Sequence, residues 1–223
     1  RGPGEYSAGQ RNKGIVAAES DWLLHMDIDE RVTPELATEI IESIRNEERD
    51  GFRFRRLNFF LHRPVRGGGW QNWNMVHLAR RDVLRFEGMF HERCVLTVPE
   101  KRIGQLNAKM WHLNDDSYKA RMRKSFSYCQ ELSERLDKKF KRIGWIHILG
   151  LPALEFFRKY LLKCAFRDGV RGLIFSMHSA GAMFRGCALV WDRRHRIPRE
   201  EVEEKMRALW QESKVGESLR HDG

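Results

Sequence analysis

The spacing of apolar and polar residues changes along the chain, and each change marks an element. Trp22-Leu23-Leu24-His25-Met26 is an apolar run of strand length. Asp27-Ile28-Asp29-Glu30 follows, then a helix start with Thr33 at the N-cap and Pro34 at the first helical position. Leu36, Ile40, Ile41 and Ile44 recur on one face, which predicts a helix from about Pro34 to Arg49, broken by Asp50-Gly51. A short helix, roughly Ala8 to Glu19, precedes the first strand. Phe52-Arg53-Phe54-Arg55 alternates with period two, as a half-buried strand does, and Met75 to Ala79 and Arg93 to Val98 also read as strands. Between them lies an aromatic, basic loop over residues 58–70, closed by Gly67-Gly68-Gly69-Trp70.

From about Ser117 the pattern is helical through Arg142, with Asp115 or Asp116 as the expected cap and a strongly basic surface. Trp145 to Trp191 is rich in Phe, Leu, Ile and Met but interrupted by Arg158, Lys159, Lys163, Arg167, Arg171 and Arg185. Its longest uncharged windows, Ile143–Leu154 and Gly172–Phe184, fall short of the roughly 20 apolar residues a spanning helix needs. Basic residues among bulky apolar ones, with Trp at both ends, suit helices lying in a membrane interface. An ordinary buried helical subdomain with a solvated basic face fits the same pattern. A charged amphipathic helix from Pro198 to about Glu212 ends the pattern.

The whole chain, 223 residues with 32% charged and 41% hydrophobic, is long enough for a globular core. Its formal charge of +10 calls for a polyanionic partner: nucleic acid, anionic lipid or a nucleotide substrate. No RNP, zinc-finger or helix-turn-helix pattern accompanies that charge, so no nucleic-acid partner is expected. Cys94, Cys129, Cys164 and Cys187 form no C-x-x-C pair, which leaves a zinc knuckle or thioredoxin-type site unsupported.

The acidic turn is the main candidate chemistry. It sits where a strand leaves a sheet, the edge at which open α/β sheets bind ligands. Carboxylates one residue apart on such a turn can share a hard divalent cation, which in turn can hold a diphosphate. The alternative is an acidic turn that merely caps the next helix.

Several segments in order carry a family resemblance: Gln10-Arg11-Asn12, Asp21-Trp22-Leu23-Leu24 and the block from Asp27 to Leu36. Gly51-Phe52-Arg53, Arg56 to Leu61, Gly68-Gly69-Trp70 and Glu87 to Arg93 continue it, with Phe157 to Tyr160 and Phe166 to Gly169 further on. The set resembles bacterial family 2 glycosyltransferases of the lipopolysaccharide-core β-glucosyltransferase type. The resemblance implies an α/β fold of GT-A type, a nucleotide-sugar donor, UDP-sugar first, and inversion at the anomeric carbon. The family's N-terminal βαβ portion, which holds the nucleobase and a first acidic residue, has no counterpart among these segments. The expected architecture is therefore a GT-A sheet lacking its first strands over residues 1–116, followed by a helical, membrane-associating region over 117–223.

Within that resemblance Asp27, Asp29 and His112 are the expected ligands of Mg²⁺ or Mn²⁺, with Arg11, Asn12 and Asp27 on the donor. His112 alternatively reads as a loop histidine with a backbone partner, and Arg11 as a solvated helix-end charge. Glu92 is the expected base for the acceptor hydroxyl, with His91 beside it tuning its pKa, and Asp29 or Glu30 in reserve. Its alternative is a partner of Arg93 or a helix cap. Gly68, Gly69 and Trp70 form the expected acceptor platform, or else a tight turn anchored by a core Trp. Two positions depart from relatives: Asn72-Trp73 stands where Pro-Asp is common, and His77 replaces an Arg. The implied partners are a lipopolysaccharide-core or other lipid-linked acceptor and an anionic membrane surface. The implied place is the cytoplasmic face of the bacterial inner membrane. An inactive, membrane-bound relative and a basic nucleic-acid-binding protein are the competing readings.

Overall fold

The computed structural model describes residues 7–88, 93–115 and 117–212. A mixed sheet of seven strands is followed by a helical region, so the α/β expectation holds. Its middle strand is β3 (Gly51–Phe60), on which Phe52, Phe54, Asn58 and Phe60 point inward while Arg53 and Arg55 do not. That is the period-two pattern read from the sequence, extended by five residues. One side of β3 carries β5 (Asn74–Arg80), antiparallel, with β1 (Trp22–Leu24) beyond it, also antiparallel. On the other side run β8 (Ile103–Gln105) and β9 (Met110–His112), both parallel to β3, and β2 (Glu30–Arg31) pairs antiparallel with β9. A short β4 (Arg63–Pro64) folds back on β3, so the expected loop over 58–70 begins as a hairpin. A separate hairpin joins β6 (Leu84–Glu87) to β7 (Arg93–Leu96).

Helix α1 (Ser7–Ala17) lies against β6, and Ala8 and Ile15 share a core with Val76, Ala79, Leu84 and Phe86. Helix α2 (Pro34–Ser43) buries Leu36 against Phe52, Phe54, Leu78 and Met110. Thr33 caps it, its Oγ1 accepting from the Leu36 N–H at 3.2 Å. The helix stops some six residues before the expected end, because Asn46 closes a local turn by accepting from the Glu48 N–H at 2.9 Å. Helix α3 (Tyr118–Lys139) is capped by Ser117, not by Asp115 or Asp116. Asp115 is instead buried and paired with Arg121 and Lys124, and Asp116 falls outside the described residues.

Helix α4 (Trp145–Phe157) runs on through a π-turn, Arg158–Leu162, and α5 (Val170–His195) packs against both α3 and α4. Contrary to the window argument, α5 is long and apolar enough by length and composition to cross a membrane; 39% of its apolar stretch is buried. The single Arg185 that interrupts the sequence window bonds Ser125 of α3 at 2.8 Å. The terminal helix α6 (Arg199–Glu212) is exposed along its length.

The glycine-rich loop joins the helical region to the sheet. Asp168, buried, accepts from the Arg66 N–H at 2.8 Å and the Gly67 N–H at 2.8 Å. The Gly68 N–H donates to the Lys163 carbonyl at 2.8 Å. A Cβ on Gly67 would lie 2.3 Å from the Cys164 carbonyl oxygen, and one on Gly68, at φ 74°, would lie 2.5 Å from the Phe175 ring. Backbone thus approaches backbone at a distance only glycine permits.

Candidate active site

The acidic turn occupies the gap between β1 and β2. β1 is shorter than the apolar run suggests, yet the His25 N–H still bonds the His77 carbonyl, so the chain leaves the sheet only after His25. The Glu30 carboxylate accepts from the Asp27 N–H at 2.7 Å and closes the turn on itself. Glu30 is only 2% exposed and pairs with the Arg56 Nε at 2.5 Å. Burial pushes its carboxyl up, against the Asp27 N–H and Arg56. It is an internal brace of the turn and does not line the cavity, which removes it as a reserve base.

Asp27 and Asp29 face different partners. Asp27 takes Arg11 at 2.6 Å and Arg56 at 3.4 Å. Burial would raise its carboxyl, but the Arg11 hydrogen bond and the neighbouring cations outweigh it and hold the pKa below the usual range. Asp29 has its carboxylate 3.4 Å from the His112 Nε2, and both acids line the same large cavity. The expected three-ligand set therefore does not assemble: Asp27 is neutralised by two guanidinium groups, and the described residues contain no cluster of three His, Cys, Asp or Glu ligands. The Asp29–His112 pair remains.

That pair is a product of register. Glu30 lies opposite His112 across β2 and β9, and Asn58 lies beside His112 across β3 and β9. The Leu113 N–H also bonds the Asp29 carbonyl at 2.8 Å. Asn58, 6% exposed, donates its amide N–H to the Trp70 carbonyl at 2.8 Å. Its Oδ1 must therefore be the atom facing His112 Nδ1 at 2.7 Å, and Nδ1 must carry the proton. Nε2 is left with a lone pair, aimed at a carboxylate oxygen. Burial lowers the His112 pKa, with the Asp29 charge opposing, which favours this neutral ring. Two electron-rich atoms then face each other, a contact that a proton on Nε2 or a bound cation would satisfy. The donor set thus fits a divalent ion held by one carboxylate and one imidazole, the rest of its shell left to phosphate oxygens and water.

Both Asp29 and His112 open onto a cavity of about 1030 Å³ whose opposite wall is helical. Gly69 and Trp70 line it, as do Trp73, Arg121, Lys124, Lys159, Phe175 and His178. Gly68 does not; it is buried beneath Phe175, and its carbonyl accepts from the Lys159 ammonium at 3.1 Å. The indole of Trp70 packs edge-on to Phe175, 4.6 Å between centroids, and carries the Arg121 guanidinium at 4.9 Å. So the Gly-Gly-Trp loop is both an anchor and a wall. Trp73, 51% exposed with Arg56 at 5.6 Å from its ring, is the freer indole on this cavity.

Two residues expected on the donor make contacts within the protein. Asn12 uses both amide atoms on one backbone unit: it donates to the Phe86 carbonyl and accepts from the Phe86 N–H, each at 2.9 Å. It fastens α1 to the β6–β7 hairpin. Arg11 pairs with Asp27 and lies 5.2 Å from the Phe86 ring. Both arginine and turn border a small second cavity of about 130 Å³ with His25, His77, Phe86 and Cys94. His77 was expected to depart from the family pattern. It is fully buried, stacked between Phe54 and His25 at 4.9 Å from each, and desolvation brings its pKa down to about 3. The expected base, Glu92, and its neighbour His91 lie outside the described residues.

A family model for glycosyl transferase family 2 matches residues 3–125. The chain belongs to glycosyl transferase family 2. It is a glycosyltransferase, and enzymes of this family use nucleotide-sugar donors. The matched span covers the sheet, the acidic turn, Asn58, His112 and the first two turns of α3. The remaining wall of the cavity, from α4 and α5, lies beyond it. His112 was identifiable from the family resemblance; Asn58, which orients it, and Asp168, which braces the glycine loop, lay in resembling segments but had no role assigned there. Lys159 likewise lay in a resembling segment without a role, and His178 in a stretch that read as an interfacial or buried helix.

Proposed function

We propose that this protein transfers a sugar, with inversion, from a UDP-sugar to a lipopolysaccharide-core or other lipid-linked glycan acceptor. The observation that carries the reading is the Asp29–His112 pair, two electron-rich atoms 3.4 Å apart at the rim of a cavity walled by aromatic and cationic side chains. Mg²⁺ or Mn²⁺ between them would neutralise charge on the departing diphosphate. Lys124 and Arg56 border the same part of the cavity and are placed to steady phosphate oxygens. Trp73 offers an exposed indole face for a sugar ring, with Gly69 allowing close approach along the backbone.

The base role stays with Glu92. Supporting it, the strands on either side of residues 88–92 place Phe86 and Cys94 against the small cavity beside Arg11 and Asp27. Asp29 is a ligand in this scheme and not a base.

The membrane part of the proposal rests on the helical region. Val170, Met177, Phe184 and Trp191 recur every seven residues along α5 and are all exposed. Trp145, Ile146 and Leu149 are exposed on α4. An apolar stripe of this kind among basic residues suits peripheral attachment to an anionic leaflet, at the cytoplasmic face of the bacterial inner membrane.

Calorimetric titration with UDP-sugars and Mn²⁺, comparing wild type with Asp29→Ala, tests the donor site. Metal-dependent binding that is lost in the variant is expected; metal-independent binding that survives it would overturn the assignment. Flotation with anionic liposomes should carry the chain, and its failure to float would remove the interfacial attachment.

A further inference from the structure

Basic groups on the helical wall of the large cavity outnumber the acids available to them. Arg121 is mostly buried, and desolvation lowers its pKa in spite of Asp115 at 3.4 Å. Its Nε is buried with no hydrogen-bond partner. Asp115 is itself shared with Lys124 at 3.6 Å. Lys159 is half-buried and spans from the Gly68 carbonyl to the Phe175 ring, 5.3 Å away. The nearest acid, Glu155, is bound by the fork of Arg158 at 2.7 Å. His178 completes the group. It is 5% exposed, lines the cavity, and its Nε2 has no hydrogen-bond partner among the described residues. Its Nδ1 lies 3.4 Å from the Tyr118 hydroxyl; with that O–H donating to Nδ1, the buried Nε2 carries the proton and is left without an acceptor.

Burying cations with too little counter-charge is unfavourable unless an anion completes the site. The donor diphosphate is the first candidate, but its place is set by Asp29 and His112. Lys124 is the basic residue of α3 whose charge acts on His112, whereas Lys159 and His178 interact electrostatically with Arg121. Lys124, which shares Asp115 with Arg121, stands between His112 and the group formed by Arg121, Lys159 and His178.

We infer that Arg121, Lys159 and His178 form a second anion subsite, which takes an acidic group, phosphate or carboxylate, carried by the sugar acceptor. The inference rests on the glycosyltransferase reading above and adds the chemical class of the acceptor: an acidic glycan, not a neutral one. An acidic group seated here receives two cationic donors and one imidazole N–H, and it fixes the acceptor relative to Trp73 and the acidic turn.

The test is ¹H–¹³C NMR of the histidine rings in the full chain, titrated with glucose 6-phosphate, glucuronate and glucose, and separately with UDP and Mg²⁺. One or both acidic sugars should move the His178 signal saturably while glucose does not, and which of them acts decides between phosphate and carboxylate. Lys159→Gln, and independently Arg121→Gln, should each weaken that response about tenfold or more. UDP with Mg²⁺ should move His112 and leave His178 in place. Equal responses to glucose and its acids, or no response to any of them in the folded wild type, would overturn the subsite. So would a His178 response to UDP with Mg²⁺ alone, which assigns these cations to the donor. A silent His112 with a responsive His178 would remove the donor reading and leave the subsite standing.

Discussion

Asn58 is the residue on which the site's chemistry turns, and Asn58→Leu is the perturbation that exposes it. The change keeps the shape of a 6% exposed side chain and removes two hydrogen bonds, at 2.7 Å to His112 and 2.8 Å to Trp70. With nothing to hold the proton on Nδ1, His112 is free to put it on Nε2 and to rotate, and the lone pair facing Asp29 is lost. Removing such an outer partner of a metal-binding histidine weakens metal affinity about 10- to 100-fold, or roughly 1.4–2.7 kcal/mol. Leaving the Trp70 carbonyl and the imidazole N–H unpaired should also lower stability by about 2–4 kcal/mol. Asn58→Asp separates the two effects. A carboxylate still accepts from Nδ1–H, so metal affinity should stay near the wild-type value, while repulsion from the Trp70 carbonyl still costs stability. Electron paramagnetic resonance titration of free Mn²⁺ in the presence of UDP measures the affinities, and urea unfolding checks that each variant is folded. Wild-type Mn²⁺ affinity in folded Asn58→Leu, or an equal loss in Asn58→Asp, would refute the tautomer argument.

Other predictions address the scaffold and its pH response. Asp168→Ala leaves the Arg66 and Gly67 N–H groups without their charged acceptor and should cost about 3 kcal/mol in urea unfolding; a loss under 1 kcal/mol would show that the loop is held elsewhere. His77 has a folded pKa of about 3 against about 6.5 unfolded, so its contribution is intact above pH 6.5 and is lost as pH falls toward 3. The stability lost across that window is of the order of 4–5 kcal/mol, and His77→Phe should flatten the acid side of the stability–pH curve; an unchanged slope would count against a buried neutral ring. Because burial lowers the His112 pKa, Mn²⁺ binding should begin to weaken at lower pH than an ordinary imidazole site would, and a decline that begins above the ordinary imidazole range would contradict a neutral ring. Gly67→Ala places a methyl 2.3 Å from the Cys164 carbonyl oxygen, so the variant should unfold at markedly lower urea than wild type, with Trp70 fluorescence reporting the loosened loop.

What the sequence determined by itself was local. The alternation around Phe54, the Thr33-Pro34 start of α2 and the acidic turn were legible because their causes lie within a few residues: side-chain period, cap chemistry and the end of an apolar run. The ordered family segments extended that to an α/β glycosyltransferase. Which acid does what was a tertiary matter. Asp27 and Asp29 are alike in sequence, yet one faces Arg11 and the other His112, because β9 pairs with β2 and β3 in a register no local pattern reveals. Asn12 looked like a donor contact and is an anchor for β6, since a side-chain amide matches one peptide unit wherever the fold supplies it. The cavity exists only because α3, α4 and α5 close over the acidic turn, held there by Asp168 on the glycine loop across 102 residues of chain. Hydrophobic period and capping act over one or two turns, whereas charges and lone pairs do their chemistry with whatever neighbours the packing of distant elements brings within a few ångströms.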